Sequence, residues 1–282
     1  MLNLTIRGHD LTQAHTLKEL AEETQNQGIH TVQLALRLSF PELASGAGAI
    51  NSGMGNFVKR TLMQKNVHVG ILSCYINMIH PDLAIREQLL TKFERYLQYA
   101  ASFGASMVAS ETGNVFPEIF YTEENFTDEA FEQAVAVIRR LVKTGEKYNM
   151  MVGIEPGLNH PIYSIERVVQ LLDAVKSDYL GIILDPTNLI ASSTYQEQVQ
   201  LVESAFDQFG EKICAVHLKD FIVKKQQIIP TNLGEGQLDY QKIVELITEN
   251  KPYLFVVLEE TKDQKISQAI KLLKEGENSN FE

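Results

Sequence analysis

The feature that most narrows the fold of this chain is an alternation that never breaks step. A short aliphatic or β-branched run is followed by an amphipathic segment, eight times over, between Leu2 and Leu273. The runs are Leu2–Ile6, Thr31–Leu36, Val67–Leu72, Ser106–Ser110, Met151–Glu155, Leu180–Asp185, Ile213–Lys219 and Leu254–Glu259. Runs so short and so continuously apolar suit strands covered on both faces, as in a parallel sheet. Between them Phe131, Ala134, Val135, Ile138, Leu141 and Val142 recur at helical spacing, as do Leu90, Phe93, Leu97 and Ala100. Ile165, Val168, Val169 and Leu172 mark another helix; Ile243, Leu246 and Ile247, then Ile266, Ala269, Ile270 and Leu273, mark the last two. Thr16 with Glu19 and Thr194 with Glu197 predict capping boxes at two helix starts. Gly28 and Gly104 predict left-handed helix ends. The Gly-rich stretch Ser45–Gly55 reads as a long loop or a short irregular helix.

Eight strand-then-helix units are the number that closes a barrel. A doubly wound open sheet would carry a glycine-rich nucleotide fingerprint after its first strand, and none is present. The fold class read here is α/β, a single (β/α)8 TIM barrel over residues 1–275 with a polar C-terminal tail at 276–282. Composition narrows the partners. Lys and Arg number 25 against 36 Asp and Glu, a net charge of −11. A field of that sign repels polyanions, so the expectation is no nucleic-acid and no membrane partner. Cys74 and Cys214 form neither a CxxC pair nor a disulfide framework, which fits a reducing compartment. The N-terminal residues are too polar for a secretory leader, and no apolar run approaches bilayer length. The expectation is a soluble cytoplasmic protein acting on a small molecule; a homo-oligomer is compatible with it.

In such barrels chemistry sits where strands end. The fifth run stops at Glu155, the sixth at Asp185, the seventh at His217, and the eighth at Glu259 and Glu260. Residues two before each candidate, Gly153, Ile183, Ala215 and Val257, share its face and are small or aliphatic, which predicts inward pointing. By that alternation Glu259 points inward and Glu260 toward the helices, unless a bulge exchanges them. Three crowded carboxylates cannot all stay ionised without a compensating cation. Three oxygen donors and an imidazole suit a divalent ion: Mn²⁺ foremost, with Mg²⁺, Co²⁺ or Zn²⁺ as alternatives. The bland alternative is that each acid caps the helix after its strand; for four adjacent strands together it is the weaker reading.

These motifs resemble the xylose isomerase-like TIM-barrel superfamily of sugar phosphate isomerases and epimerases. The resemblance covers nearly the whole chain. Its carriers are Gly153-Ile154-Glu155-Pro156, Leu184-Asp185-Pro186-Thr187-Asn188, Val216-His217-Leu218-Lys219-Asp220, Leu233-Gly234-Glu235-Gly236 and Val257-Leu258-Glu259. It implies a metal held by Glu155, Asp185, His217 and Glu259. By likeness to its ketose 3-epimerases, it also implies that Glu155 and Glu259 exchange a proton with substrate carbon from opposite faces. Those enzymes often carry a substrate-contacting His three residues after the strand-six Asp; here that position is Asn188.

Such chemistry has a physical rationale. An enediolate is unstable in water, and a divalent ion on the carbonyl and the adjacent hydroxyl offsets its charge by several kcal/mol. One carboxylate takes the proton and a second group returns it. Further candidates for binding substrate are His160, Lys219, Glu111 and Arg7, each with a structural alternative: a loop histidine, a salt bridge, a helix cap and a surface arginine. Gly234-Glu235-Gly236 reads as a tight turn shaping the rim. The leading expectation is a metal-dependent sugar isomerase or epimerase. Behind it stand a lyase dehydrating a keto-inositol-like substrate, an endonuclease IV-like DNA repair enzyme, which the charge disfavours, and a non-catalytic barrel.

Overall fold

The computed structural model describes residues 2–43 and 49–279, with side chains through Lys274. Ten strands are present among the described residues: β1 (Asn3–Arg7), β2 (Thr31–Leu34), β3 (His68–Ser73), β4 (Met107–Glu111), β5 (Met151–Glu155), β6 (Leu180–Leu184), β7 (Ile213–Leu218), β8 (Asp220–Lys224), β9 (Gln227–Thr231) and β10 (Phe255–Leu258). Eight of them close a ring in the order β1-β10-β7-β6-β5-β4-β3-β2, every neighbouring pair parallel. The single (β/α)8 barrel expected from the alternation is the architecture observed.

β8 and β9 are an addition, an antiparallel hairpin outside the ring. Lys225 and Gln226 turn it with φ of 50° and 59°, the paired left-handed conformation of the tightest hairpin turns. The seventh apolar run was expected to continue to Lys219; it leaves the barrel at Leu218 and feeds this hairpin.

The helices are α1 (Leu17–Asn26), α2 (Leu36–Ser39), α3 (Ser52–Met63), α4 (Leu83–Phe103), α5 (Asp128–Tyr148), α6 (Ile165–Val175), α7 (Pro186–Leu189), α8 (Gln198–Phe209), α9 (Tyr240–Asn250) and α10 (Gln264–Ser279). The predicted stripe of α5 packs inward, with Ala134, Ile138, Leu141 and Val142 buried against the ring. Each such Leu or Ile contributes about 1.5–3 kcal/mol by leaving water. The Thr16–Glu19 capping box forms with both reciprocal bonds. Gly28 and Gly104 take φ of 70° and 82° as predicted.

The Thr194–Glu197 box does not form. The Thr194 hydroxyl accepts instead from Ala191 N–H, and a 3-10 turn at Tyr195–Glu197 delays α8 to Gln198. Of the Gly-rich stretch Ser45–Gly55, residues 44–48 lie outside the described residues, and the helix α3 starts inside it at Ser52. Of the expected tail, residues 280–282 lie outside the described residues, and the backbone of α10 runs on to Ser279. No described helix is long and apolar enough to cross a membrane.

Two cores result. The larger lies between ring and helices. The smaller, Ile71, Met107, Ala109, Ile183, Ala215 and Val257, plugs the ring from within. Strand alternation then fixes what stands above the plug, because inward residues recur every second position. Two steps beyond Ala109, Ile183, Ala215 and Val257 come Glu111, Asp185, His217 and Glu259.

Candidate metal centre and substrate cavity

The same arithmetic applied to all eight staves gives one polar side chain at the mouth from each. They are Arg7, Gln33, Ser73, Glu111, Glu155, Asp185, His217 and Glu259, and all but Glu111 are buried. Register places Arg7 beside Gln33 and Glu111 beside Glu155 on neighbouring strands. Glu155, Asp185, His217 and Glu259 each offer one ligand atom, and the four atoms lie within 4.8 Å of one another.

What occupies the other atom of each ligand shows how the cluster is aimed. Asp185 caps the short α7, its Oδ1 accepting from the backbone N–H groups of Thr187 (2.9 Å) and Asn188 (3.2 Å). Its buried Oδ2 faces the Lys219 ammonium. His217 Nε2 faces Gln33 Oε1 at 3.0 Å, and its buried Nδ1 faces Glu259 Oε2 at 2.6 Å. Glu155 Oε1 accepts from Asn188 Nδ2 at 2.7 Å. The four ligand atoms lie together, and the donor set is three carboxylates and one imidazole. The residues fit a divalent cation.

The charges around the cluster are balanced by two long cations. Lys219 Nζ lies 2.6 Å from Asp185 Oδ2 and 2.9 Å from Glu259 Oε1, and donates to Asn188 Oδ1 at 2.7 Å. Arg7 reaches Glu259 and Glu260 at 2.9 Å each and grips Asp10 through two nitrogens. Burial works against the charge of Glu259, but Lys219, His217 and Arg7 outweigh it and hold its carboxyl well below the usual range. Burial pushes Asp185 the other way, up to about 6, against the pull of Lys219. For His217, burial is outweighed by the Glu155 and Glu259 carboxylates, and its imidazole is pushed up to about 10. Glu259 is the inward residue of the Glu259-Glu260 pair. Glu260, at φ 56°, turns out to the rim beside Arg7 and Lys262 rather than toward the helices.

Beside the cluster opens a cavity of about 780 Å³, with Lys219, Asn188, His160 and Glu111 on its inner side and the hairpin residues Gln227 and Ile228 on its outer side. Of the substrate-binding candidates, His160, Asn188, Lys219 and Glu111 meet there; Arg7 does not line it and is occupied by Asp10, Glu259 and Glu260. His160 is buried, its Nδ1 2.7 Å from Gly113 O and its Nε2 3.6 Å from Glu111 Oε1. Gly113 has φ 93°, and a side chain there would strike Asn77 and the backbone of Met78, so glycine sets the loop that carries this carbonyl.

Asp220 anchors the outer side. Its buried carboxylate accepts from the N–H groups of Phe221, Gly234, Gly236 and Leu238 at 2.7–2.9 Å. The Gly234-Glu235-Gly236 turn is thus wrapped round a protein carboxylate, the rim-shaping role expected of it. Gln33, Ser73 and Tyr75 escaped the sequence reading. Gln33 Nε2 donates to Ser73 Oγ (3.1 Å) and Tyr75 OH (3.0 Å), a chain standing behind His217. The available signal was one polar residue at inward parity in Thr31-Val32-Gln33-Leu34.

Comparison with known proteins agrees with this fold. A curated relative, 3-oxo-isoapionate decarboxylase from Pectobacterium atrosepticum, is 27% identical over 134 residues, 45% of this chain and 46% of the relative. The alignment therefore spans about half the length of that relative. Among solved structures, 3-keto-D-glucoside 4-epimerase from E. coli superposes with a TM-score of 0.74 at 14% identity, over 98% of this chain and 100% of that one. The probable 3-DHS dehydratase involved in petrobactin synthesis from Bacillus anthracis gives 0.73 at 17% identity, over 97% and 99%. At such identities the likeness is one of fold. The model of the xylose isomerase-like TIM barrel family matches residues 14–276. That span takes in every stave contributing to the four-ligand cluster, and the chain belongs to the xylose isomerase-like TIM barrel family.

Proposed function

We propose that this protein is a divalent-metal-dependent isomerase or epimerase of a sugar or sugar derivative, with Glu155, Asp185, His217 and Glu259 as metal ligands. One observation carries the reading: four ligand atoms of the right chemistry within 4.8 Å of one another, beside a cavity of sugar size. Mn²⁺ is the ion we favour, since three carboxylates suit a hard cation and the imidazole a transition metal. When bound, the ion supplies electrophilic stabilisation of charge developing on adjacent substrate oxygens.

The chain's own residues do the rest. Glu155, whose closest partner is the neutral amide of Asn188, takes the proton from the carbon next to the carbonyl. The C–H electron pair moves into the enediolate. Glu259 lies across the cluster and serves the opposite face: it takes up a proton from solvent and passes it to the same carbon for epimerisation or its neighbour for isomerisation, while Glu155 releases its own to solvent. Arg7 acts through Glu259, fixing where that carboxylate stands. Asn188 bridges Glu155 and Lys219 and so ties the proton acceptor to the cavity wall. The acidic charge and the two free thiols favour a small-molecule substrate and the cytoplasm.

A second reading, a lyase expelling CO₂ or water from the same enediolate-type intermediate, draws on the decarboxylase relative and on Lys219 beside the cluster, placed to hold a carboxylate. Elemental analysis, followed by incubation of ketoses, aldoses and keto-inositols in deuterated water, tests both. Carbon-bound deuterium in a product of unchanged composition supports the first, and loss of CO₂ or water the second. Glu155→Gln is expected to lower turnover at least 10³-fold while circular dichroism stays unchanged. Wild-type turnover in that variant removes Glu155 from proton transfer.

A further inference from the structure

The floor of the barrel, at the end opposite the four-ligand cluster, gathers three sulfur atoms. Gly153 and Gly181 pair on β5 and β6 and share the inward parity of Glu155 and Asp185. Having no side chains, they leave a hollow beneath the apolar plug. Met107 and Met151 point into it by the same alternation. A Cβ on Gly153 would sit 3.3 Å from Met107 Sδ; one on Gly181 would sit 2.9 Å from Met151 Sδ and 2.8 Å from Cys214 Sγ. Alternation from Ala215 would turn Cys214 toward the helices. However, the register between β6 and β7 shifts here: Ile182 pairs with Ile213 and Ile183 with Ala215, leaving Cys214 without a partner. Such an irregularity re-aims a side chain. The Cys214 thiol packs against the plug, 3.7 Å from Met107 Sδ and 3.2 Å from the Ile182 carbonyl oxygen.

We propose that Met107, Met151 and Cys214 form a second metal site, taking one soft monovalent cation of the class of Cu⁺ and its redox-stable analogue Ag⁺. Two thioethers and a thiolate are the donors that select such ions. The spacing suits them. Two sulfurs at about 2.3 Å from one metal ion, spread evenly in a plane, lie about 4 Å apart, and Cys214 and Met107 already stand at 3.7 Å. A hard divalent ion finds no carboxylate here: the plug above is Ile71, Ala109, Ile183, Ala215 and Val257. Cys214 and Met151 are half-buried and Met107 is buried, so a cation can enter from the open end of the floor. Burial pushes the Cys214 thiol up to about 12, so it carries its proton at neutral pH until a coordinated ion displaces it. On binding, the S–H bond breaks, the proton leaves to solvent, and the sulfur lone pairs take the ion with no electron transferred. Four residues of strand, about 13 Å, separate Met107 from Glu111 and Met151 from Glu155. The floor site is therefore distinct from the cluster at the mouth and independent of the function proposed above.

The test is a titration with Ag⁺, in chloride-free buffer with Mg²⁺ in excess, of protein carrying ¹³C at its methionine methyl groups. The signals of Met107 and Met151 are identified by their loss in Met107→Leu and Met151→Leu, swaps that nearly conserve volume. One equivalent of Ag⁺ is expected to shift both signals and to leave those of the other methionines in place. Losing a group behind a metal ligand costs about 10- to 100-fold in affinity, and losing a ligand costs at least as much. Met107→Leu should therefore weaken the Ag⁺ response of Met151 by about tenfold or more, and Cys214→Ala by about 100-fold or more. Cys74→Ala, which removes the other cysteine, should leave the titration as in wild type. Circular dichroism reports the fold of each variant, and should one fail to fold, the wild-type titration decides. Ag⁺ that leaves the Met107 or the Met151 signal in place overturns the proposal, since a shift of one alone marks a bare thiol or thioether. Undiminished affinity in folded Cys214→Ala or Met107→Leu, or affinity lost in folded Cys74→Ala, overturns it equally.

Discussion

At the scale of single residues, the orientation of His217 depends on Gln33. The Gln33 carbonyl oxygen sits 3.0 Å from Nε2, so a neutral imidazole keeps its one proton there and turns the Nδ1 lone pair toward the carboxylates. Ser73 and Tyr75 hold the amide in turn. Groups that orient a metal-binding histidine matter nearly as much as the ligand itself. Gln33→Leu is expected to weaken divalent-metal binding about 10- to 100-fold, measured by calorimetry or chelator competition, with the barrel intact. Unchanged affinity would make Gln33 mere filling. Glu155, Asp185, His217 and Glu259 were legible in the sequence because each is a charged or titratable group that halts an apolar run. Gln33 was not, because it is neutral and lies inside its run. Ser73 stands one step past the residue at which the third run was read to stop, and a serine announces nothing about burial. The Glu111–His160 pairing depends on a loop returning over the mouth, which no spacing reveals.

At the scale of elements, the staves and long helices were readable from apolar periodicity alone. The β8–β9 hairpin was not. Its residues are mostly exposed, Pro230 sits within a strand, and Lys225-Gln226 lacks the Asn-Gly signature of a two-residue turn. What holds it to the barrel is Asp220, with four backbone N–H groups on one carboxylate. The Lys219-Asp220 step is accordingly a junction: one side chain turns into the cluster and the next fastens the cavity's outer side. Asp220→Ala strands those donors, and a loss of about 3 kcal/mol in unfolding free energy is expected. Amide exchange should accelerate at Gly234, Gly236 and Leu238 while metal affinity holds. Unaltered exchange there would show that the turn stands without its carboxylate. Thr194 teaches a smaller lesson. A Ser/Thr-x-x-Glu pattern supplies the groups for a capping box, but a hydroxyl that finds a nearer backbone donor uses it.

At the scale of the whole molecule, the mouth couples stability to pH and to metal. In the metal-free protein the His217 imidazole, pushed up to about 10 from an ordinary 6.5 by Glu155 and Glu259 against the cost of burial, binds its proton more tightly folded than unfolded. Its contribution is fully present below about 6.5 and is lost as pH rises through about 10. The thermal midpoint of metal-free protein should therefore fall between neutral pH and pH above 10. A ligand nitrogen must shed that proton, so metal uptake near pH 7 should release about one proton. The release is read as a dependence of the binding enthalpy on the ionisation enthalpy of the buffer. Uptake without proton release would mean that His217 is already neutral.

The ring closes by pairing β1 with β10, and the seam runs through the chemistry. Arg7 from the first stave meets Glu259 and Glu260 beyond the last, and Asp10 accepts the Glu260 N–H. During synthesis, a ribosome-bound chain that has exposed Glu155 and Asp185 holds two of the four ligands and, for Arg7, only Asp10. The four ligand atoms are brought together only once β10 has paired with β1, so a chain cut short before β10 leaves the cluster unassembled.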